Sequence, residues 1–344
     1  MQELVKVRIT DVAREARVST ATVDRVINER PGVKERTRRR VMDVAQRLGY
    51  LDLSPPASHL GAARPRLFDF VLPAGTNTYM QIFADALAAG DPDNPRVTPR
   101  VHRIEGFRPE ILARELAAIG RDSQGVGVVA IDHPFVQETI RDLTGAGVPV
   151  VTLVSDIPSV DRFDYIGIDN QAAGRLAGYL MGRFLGSGRA EVGLLAGSLQ
   201  YRGHQEREMG FRHVLAEEFP DLTVVAIRED QDDTEHAYRE TGALLRDYPT
   251  LRGVYNVGAG NRGLAHALEE SGRAGRVVAI GHELTPFTRR HLISGVLDAV
   301  IDQSPRSEAL AAIRALATAA AGVERSRSRP IPFTPYFREN LPQD

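Results

Sequence analysis

From residue 67 to about residue 325 the chain alternates between short β-branched, apolar runs and longer amphipathic ones. Strand-like runs fall at 67–72, 98–103, 127–131, 149–154, 165–168, 191–195, 223–227, 253–256, 277–281 and 297–301. Helical spacing marks 80–89, 109–119, 170–185, 205–218 and 234–247 between them. Strands joined through helices pair in parallel by right-handed crossovers, and such sheets are covered on both faces. A stretch of about 250 residues of this kind exceeds one sheet with one core, so two lobes are expected. In open α/β sheets the carboxyl ends of the strands frame the binding crevice.

The first fifty residues follow another pattern. A short amphipathic helix over 10–16 places Val12, Ala13 and Ala16 on one face. Arg17-Val18-Ser19 breaks it, and Ser19 is suited to cap a second helix over 20–28, with Val23, Val26 and Ile27 inward. A third helix over 34–48 supplies Val41, Val44, Ala45 and Leu48, and Gly49 suits the left-handed conformation that follows a helix end. Two short helices on a tight turn make a helix-turn-helix, whose second helix enters the major groove of DNA. Thr20, Ala21 and Arg25 open that helix, and Arg25 suits a bidentate guanine contact.

These residues identify the segment as resembling the LacI (lac-repressor) family of bacterial transcription regulators. The resemblance is carried by Asp11-Val12-Ala13, Val18-Ser19, Ala21-Thr22-Val23, Arg25-Val26, Asn28, Thr37-Arg38, Val41 and Leu48-Gly49-Tyr50. It implies a DNA face of Thr20, Ala21, Thr22, Arg25, Asn28 and Thr37. Asp24 stands where the family has Ser, and an acid there repels a phosphate. Residues 51–66, rich in Pro, Ala, Ser and Gly, read as a linker. The resemblance implies that this linker becomes a minor-groove hinge, with Leu60 as an apolar wedge between base pairs. The spacing from Tyr50 to Leu60 is one residue longer than the family pattern.

Charge supports a DNA-binding end. Residues 1–60 hold twelve Lys or Arg against eight Asp or Glu, whereas the remainder holds 31 against 37. A basic head on an acidic body confines nucleic-acid binding to one region. There is no cysteine, which excludes disulfides, thiolate metal sites and a cysteine nucleophile. The sequence shows no apolar run of membrane-spanning length and no signal peptide, so a cytoplasmic protein is expected. Arg38-Arg39-Arg40 reads as a solvated face of the third helix.

The body resembles periplasmic sugar-binding proteins of the ribose-binding type, which also form the regulatory domain of LacI regulators. The matching runs are 165–170 with Ala173-Gly174, 206–211 and 298–305. The resemblance implies two lobes, three crossovers and a ligand between the lobes. The expected organisation is therefore a small all-α helix-turn-helix head over 1–50, a hinge over 51–66 and an α/β two-lobed body over 67–344. Within the body, lobe 1 is set at 67–163 and 296–325, and lobe 2 at 164–295. Recognition of a sugar or polyol needs polar side chains around hydroxyls and an apolar face for the ring. Loops at strand ends offer Asn77, Tyr79, Asp132, Ser155, Asp156, Arg202, His204, Asn256, His282, Glu283 and Gln303 as the effector set. Asp169 and Asn170 read instead as helix capping and interlobe packing. Gln205 stands where the family has a ligand-binding Arg, and Arg202 or Arg207 is its substitute.

Gly258, Gly260 and Gly263 form a GxGxxG with Glu283 twenty residues on, the pattern of a dinucleotide site. Too little chain follows for the rest of such a domain. The nine histidines form no HxxxH or HExxH pair. A sugar-modifying or dinucleotide-binding enzyme with a DNA-binding head is the competing reading, and no cofactor is expected. The reading carried forward is a repressor of carbohydrate genes that binds a palindromic operator as a homodimer and responds to a sugar or polyol. The Pro- and Arg-rich segment after residue 325 gives no heptad for a tetramer.

Overall fold

A computed structural model describes residues 9–27, 33–47, 66–323 and 330–343. The chain divides into two compact units, Met1–Arg64 and Pro65–Asp344.

The first unit holds α1 (Ile9–Ala16), α2 (Thr20–Ile27) and α3 (Glu35–Arg47). Its core is Val12, Ala13 and Ala16 from α1, Val23 and Val26 from α2, and Val41, Val44 and Ala45 from α3. The turn between α1 and α2 is made by Arg17 at φ +51°. Ser19 Oγ then accepts from the Thr22 amide at 3.2 Å, which satisfies a first-turn N–H of α2. Arg38 of α3 donates to the Val26 carbonyl at 3.5 Å, so this arginine serves the junction of α3 with α2, whereas Arg40 is exposed. Asn28, Leu48, Gly49, Leu60 and nearly all of the 51–66 hinge lie outside the described residues.

The second unit opens with a five-stranded sheet. Its strands are β1 (Arg66–Pro73), β2 (Val97–Ile104), β3 (Val126–Val128), β4 (Val150–Leu153) and β5 (Asp164–Ile166), in the order β2-β1-β3-β4-β5, all parallel. Helices α4 (Thr78–Ala89), α5 (Pro109–Gly120) and α6 (Pro134–Gly145) connect them. Phe68, Phe70, Leu116, Val126 and Ile140 are fully buried, as expected for strands covered on both faces.

The second sheet holds β6 (Ala190–Ala196), β7 (Leu222–Glu229), β8 (Leu251–Asn256), β9 (Val278–His282), β10 (Ala299–Asp302) and β11 (Thr334–Tyr336), ordered β11-β10-β9-β8-β6-β7. Helices α7 (Asn170–Leu185), α8 (Arg202–Glu218), α9 (Thr234–Asp247), α10 (Asn261–Glu270) and α11 (Pro286–Ser294) belong to this lobe. A last helix, α12 (Pro305–Ala320), returns to the first lobe, where Ala309, Ala312, Ile313 and Leu316 join its core. The chain thus changes lobe after β5, after β10, and between α12 and β11. In α7, a Cβ on Gly174 would overlap the Arg207 carbonyl of α8, so glycine lets these two helices meet at backbone distance.

The expected lobe boundaries need two corrections. β5, expected in the second lobe, pairs with β4, with Thr152 opposite Tyr165. β10, expected in the first lobe, pairs with β9, with Val300 opposite Gly281. Local pattern locates a strand but does not choose its neighbour, which is why both crossovers fall one strand later. The Pro-rich terminal segment also contains β11, antiparallel to β10 at the sheet edge, where Pro335 costs no ladder bond.

Candidate functional site

A cleft runs between the carboxyl ends of the two sheets, the place where open α/β folds bind their ligands. The first lobe contributes Asn77, Tyr79, Met80, Val129, Val154 and Ser155. The second contributes His204, Arg207, Asp232, Ala259 and Glu283, and Gln303 stands where the chain leaves β10. Tyr201 reaches from the second lobe into the first-lobe core, edge-on to Phe107 at 5.6 Å between ring centres.

Hydrogen bonds cross the mouth of the cleft. Asn77 Nδ2 donates to Asp232 Oδ2 at 3.3 Å, and Thr76 Oγ1 donates to Asp233 Oδ2 at 3.4 Å. Asn77 Oδ1 also accepts from the Met80 amide at 3.2 Å, capping α4. Nearer the crossover, the Gly203 amide donates to Ser155 Oγ at 3.2 Å. These contacts make the interlobe angle sensitive to whatever occupies the space between.

The base of the cleft is a buried polar network. Arg207 is 3% exposed. Its Nε donates to Asn170 Oδ1 at 2.8 Å and its Nη1 to the Val257 carbonyl at 2.8 Å. Asn170 in turn donates to Tyr165 Oη at 3.1 Å and to the Val154 carbonyl at 3.3 Å. Beside it, Asp169 Oδ1 accepts from the Ala172 amide at 2.9 Å and caps α7. Gln303 Nε2 donates to Glu283 Oε1, and Tyr79 Oη donates to Glu308 Oε2. Burial, then the charge of Asp302, pushes the Glu283 carboxyl up to about 8. Glu308 on α12 is also pushed well above the carboxylate range, by burial and by Glu283, against the bond from Tyr79. Burial lowers His204 below the ordinary imidazole value.

Several non-glycine residues around this cleft have left-handed backbone: Val154 at φ +61°, Asp232 at +52°, Glu283 at +70° and Ser304 at +58°. Each such conformation costs roughly 1–3 kcal/mol. For β-branched Val154 the conformation is a genuine outlier. The turn at Val154 explains why adjacent side chains diverge. Ser155 faces the cleft, whereas Asp156 folds back to accept from Thr152 Oγ1 at 2.7 Å and to pair with Arg162.

Six of the eleven expected effector residues are therefore brought together: Asn77, Tyr79, Ser155, His204, Glu283 and Gln303. The other five stand elsewhere. Asp156 is committed as just described. Asp132 is exposed and accepts from Gln137 Nε2 at 2.7 Å on α6. Arg202 pairs with Glu206 one turn along α8, at 2.8 Å. Asn256 is fully buried and holds the following loop, donating to Asn261 Oδ1 at 2.9 Å and accepting from the Gly258 amide at 3.2 Å. His282 points into the second-lobe core, where its Nε2 lies 2.7 Å from Tyr255 Oη; burial holds its pKa well below the ordinary value.

Polar or adaptable residues that the strand-end reading left out include Asp232 and Met80, which line the cleft, and Glu308, buried behind Tyr79. Asp232 had a signal, the acidic run just after the 223–227 strand. Met80 and Glu308 sit inside helices and had none. The GxGxxG loop enters α10, but its glycines serve packing. A Cβ on Gly260 would overlap the Asp230 carboxylate, and one on Gly263 would overlap the Thr234 carbonyl of α9.

In the first unit, Thr20, Ala21 and Arg25 are exposed on α2, and Thr22 is half-buried beside Ser19. Thr37 is half-buried on α3. The residues placed at the start of the recognition helix thus share an exposed surface, opposite the buried Val23 and Val26.

A helix-turn-helix unit and a two-lobed binding body define a ligand-responsive class of DNA-binding protein. Comparisons with known proteins place the chain within it. Residues 116–324 match the family described as periplasmic binding protein domain, and residues 8–52 match the bacterial regulatory proteins of the lacI family. The chain belongs to the periplasmic-binding-protein domain family and carries a lacI-family helix-turn-helix domain. Catabolite control protein A of Priestia megaterium is 29% identical over 269 residues, covering 77% of this chain and 71% of that protein. The transcriptional repressor MelR of Bacillus subtilis is 28% identical over 186 residues, 50% of this chain and 49% of that one. Among solved structures, GanP, a glucose-galactose binding protein from Geobacillus stearothermophilus, superposes with a TM-score of 0.72 at 24% identity, over 81% of this chain and 100% of that one. That likeness concerns the fold. No described helix is long and apolar enough to cross a membrane.

Proposed function

We propose that the protein is a transcription repressor of carbohydrate uptake or catabolism genes, whose operator affinity is set by a sugar or polyol held between the lobes of its body. The observation that carries this reading is the pairing, in one chain, of an exposed recognition helix with a cleft walled by both lobes and bridged at its mouth. A ligand that touches both lobes biases their relative arrangement, and an operator that prefers one arrangement is linked to it by the same free energy. Relatives named as a catabolite control protein and as a repressor support the regulatory part. Asn77, Tyr79, Ser155, His204, Glu283 and Gln303 form the proposed effector set, joined by Arg207 and Asp232. On the DNA side, Thr20, Ala21, Thr22, Arg25 and Thr37 form the proposed face, with Asn28 and the hinge residue Leu60 beyond the described residues.

The protein acts in the cytoplasm as a homodimer, because one recognition helix contacts too few bases and symmetric operators match symmetric dimers. The test combines two steps. Genomic fragments enriched by the purified protein supply the operator, and a thermal-shift screen of pentoses, hexoses and polyols supplies the effector. The reading requires that a hit from the screen change operator affinity. Stabilising sugars that leave operator affinity untouched would sink it.

A further inference from the structure

At one end of the cleft three buried oxygens lack partners. Glu283 Oε2, Gln303 Oε1 and Glu308 Oε1 are buried without a hydrogen-bond partner in the structure. The three side chains are 5%, 1% and 0% exposed. They are neighbours. Gln303 donates to the other oxygen of Glu283, and Tyr79, which lines the same wall as both, donates to the other oxygen of Glu308. Glu283 and Tyr79 also line a neighbouring cavity beside Thr285 and Phe287.

The donors nearby are already engaged. Tyr79 Oη is held by Glu308, and Gln303 Nε2 by Glu283. Two of the Arg207 donor positions, Nε and Nη1, serve Asn170 and the Val257 carbonyl. A ligand hydroxyl brings one donor, which serves one of the three orphaned oxygens. An ammonium brings three donors and no lone pair. Its charge also suits a wall with Glu283 and Asp232 around a single arginine, with Glu308 buried behind Tyr79.

We infer that the effector carries a primary amine, and that its ammonium seats among Glu283, Gln303 and Glu308 while its ring packs on Tyr79, Met80 and Tyr201. With the carbohydrate reading above, on which this rests, the class is an amino sugar. The titration of the site agrees. Asp302 on β10 raises Glu283, Arg207 on α8 and the bonds from Gln303 lower it, and burial outweighs them, so its carboxyl holds a proton near neutral pH. Tyr79 on α4 bonds Glu308 and lowers it, while burial and Glu283 raise it. An ammonium beside them favours the charged carboxylate, so binding releases the Glu283 proton to solvent.

Calorimetry with the full chain tests this at pH 7. The probes are D-glucosamine, D-galactosamine and D-mannosamine beside D-glucose, D-galactose and D-mannose, each in phosphate and in HEPES, neither a primary amine, whose ionisation heats differ. We expect at least one amino sugar to bind tenfold or more tighter than its neutral twin, with a heat that differs between buffers by proton release. Glu283→Gln and Glu308→Gln each erase that preference. A neutral twin that binds as tightly, with equal heats in both buffers, overturns the amine and leaves the carbohydrate effector standing. If none of the six binds, the amino-sugar assignment fails, and the carbohydrate reading is judged separately by the pentoses and polyols of the thermal screen. The wild-type buffer comparison decides the matter even if a variant fails to fold.

Discussion

The two candidate sites of this protein are built in opposite ways. On α2, Thr20, Ala21 and Arg25 lie exposed, and the buried residues behind them, Val23 and Val26, hold them only through the helix. In the cleft, Arg207, Glu283, Gln303 and Glu308 are nearly or fully buried and are positioned by one another. A surface that reads DNA can be changed one side chain at a time with little effect on folding. A buried polar network cannot, because each member leaves a partner without its hydrogen bond. The effects of substitutions should therefore divide along this line.

The largest effect is expected at Arg207. Removing it leaves Asn170 Oδ1 and the Val257 carbonyl, two buried acceptors, without their donors. Arg207→Ala should cost the body about 2–6 kcal/mol of stability, at about 1–3 kcal/mol for each unsatisfied buried group, seen as a lowered transition in thermal unfolding of the full chain. An unchanged transition would mean that the cleft is as tolerant as the DNA face, and the contrast would break.

Glu283 gives a pH signature of similar origin. Its carboxyl is raised to about 8 from an ordinary 4.5. The folded protein then holds a proton that the unfolded chain has lost, so this contribution is complete below pH 4.5 and disappears as pH rises through 8. Between those values the body should lose up to about 1.4 kcal/mol of stability per pH unit from this group. Glu283→Gln should flatten that slope in denaturant titrations run across the range; a wild-type slope of zero would contradict the burial argument.

On the DNA side, Arg25→Ala should cost roughly 1–3 kcal/mol at one symmetric operator position and relax its base preference. Unfolding should stay the same, since Arg25 is exposed. Equal losses on operator and random DNA would make Arg25 a phosphate contact instead.

The smallest effect sharpens the boundary of the cleft. Asp156→Ala removes bonds to Thr152 and Arg162 but no cleft wall, so effector response should persist with a stability loss of about 1 kcal/mol. Loss of response in operator titrations would return Asp156 to the ligand site.

The same contrast explains what could be read in advance. The head was legible because α1, α2 and α3 each bury a regular helical stripe, which leaves the opposite face as the exposed one. In the body, periodicity located ten strands, β1 to β10, but not the partners of β5 and β10, which depend on contacts far apart in sequence. Strand-end position found Ser155, Glu283 and Gln303. It also proposed Asp156, Asn256 and His282, which the backbone turns away from the cleft: Val154 at φ +61° separates Ser155 from Asp156, and Glu283 at φ +70° separates the cleft from His282. Such turns by non-glycine residues carry no sequence signal. Glu308 was invisible because it comes from α12, a helix that joins the first lobe after the last crossover.

The central claim is that the cleft and the DNA face are linked. Operator affinity, measured by fluorescence anisotropy with and without the strongest ligand from the combined sugar and amino-sugar panels, tests it most directly in the wild type and in Gln303→Ala. The account predicts that the ligand shifts wild-type operator affinity by some factor, that operator DNA shifts ligand affinity by the same factor, and that Gln303→Ala keeps ligand-free operator binding while the factor falls to one. A ligand that binds tightly yet leaves operator affinity unchanged, or a Gln303→Ala protein with the full response, would contradict it.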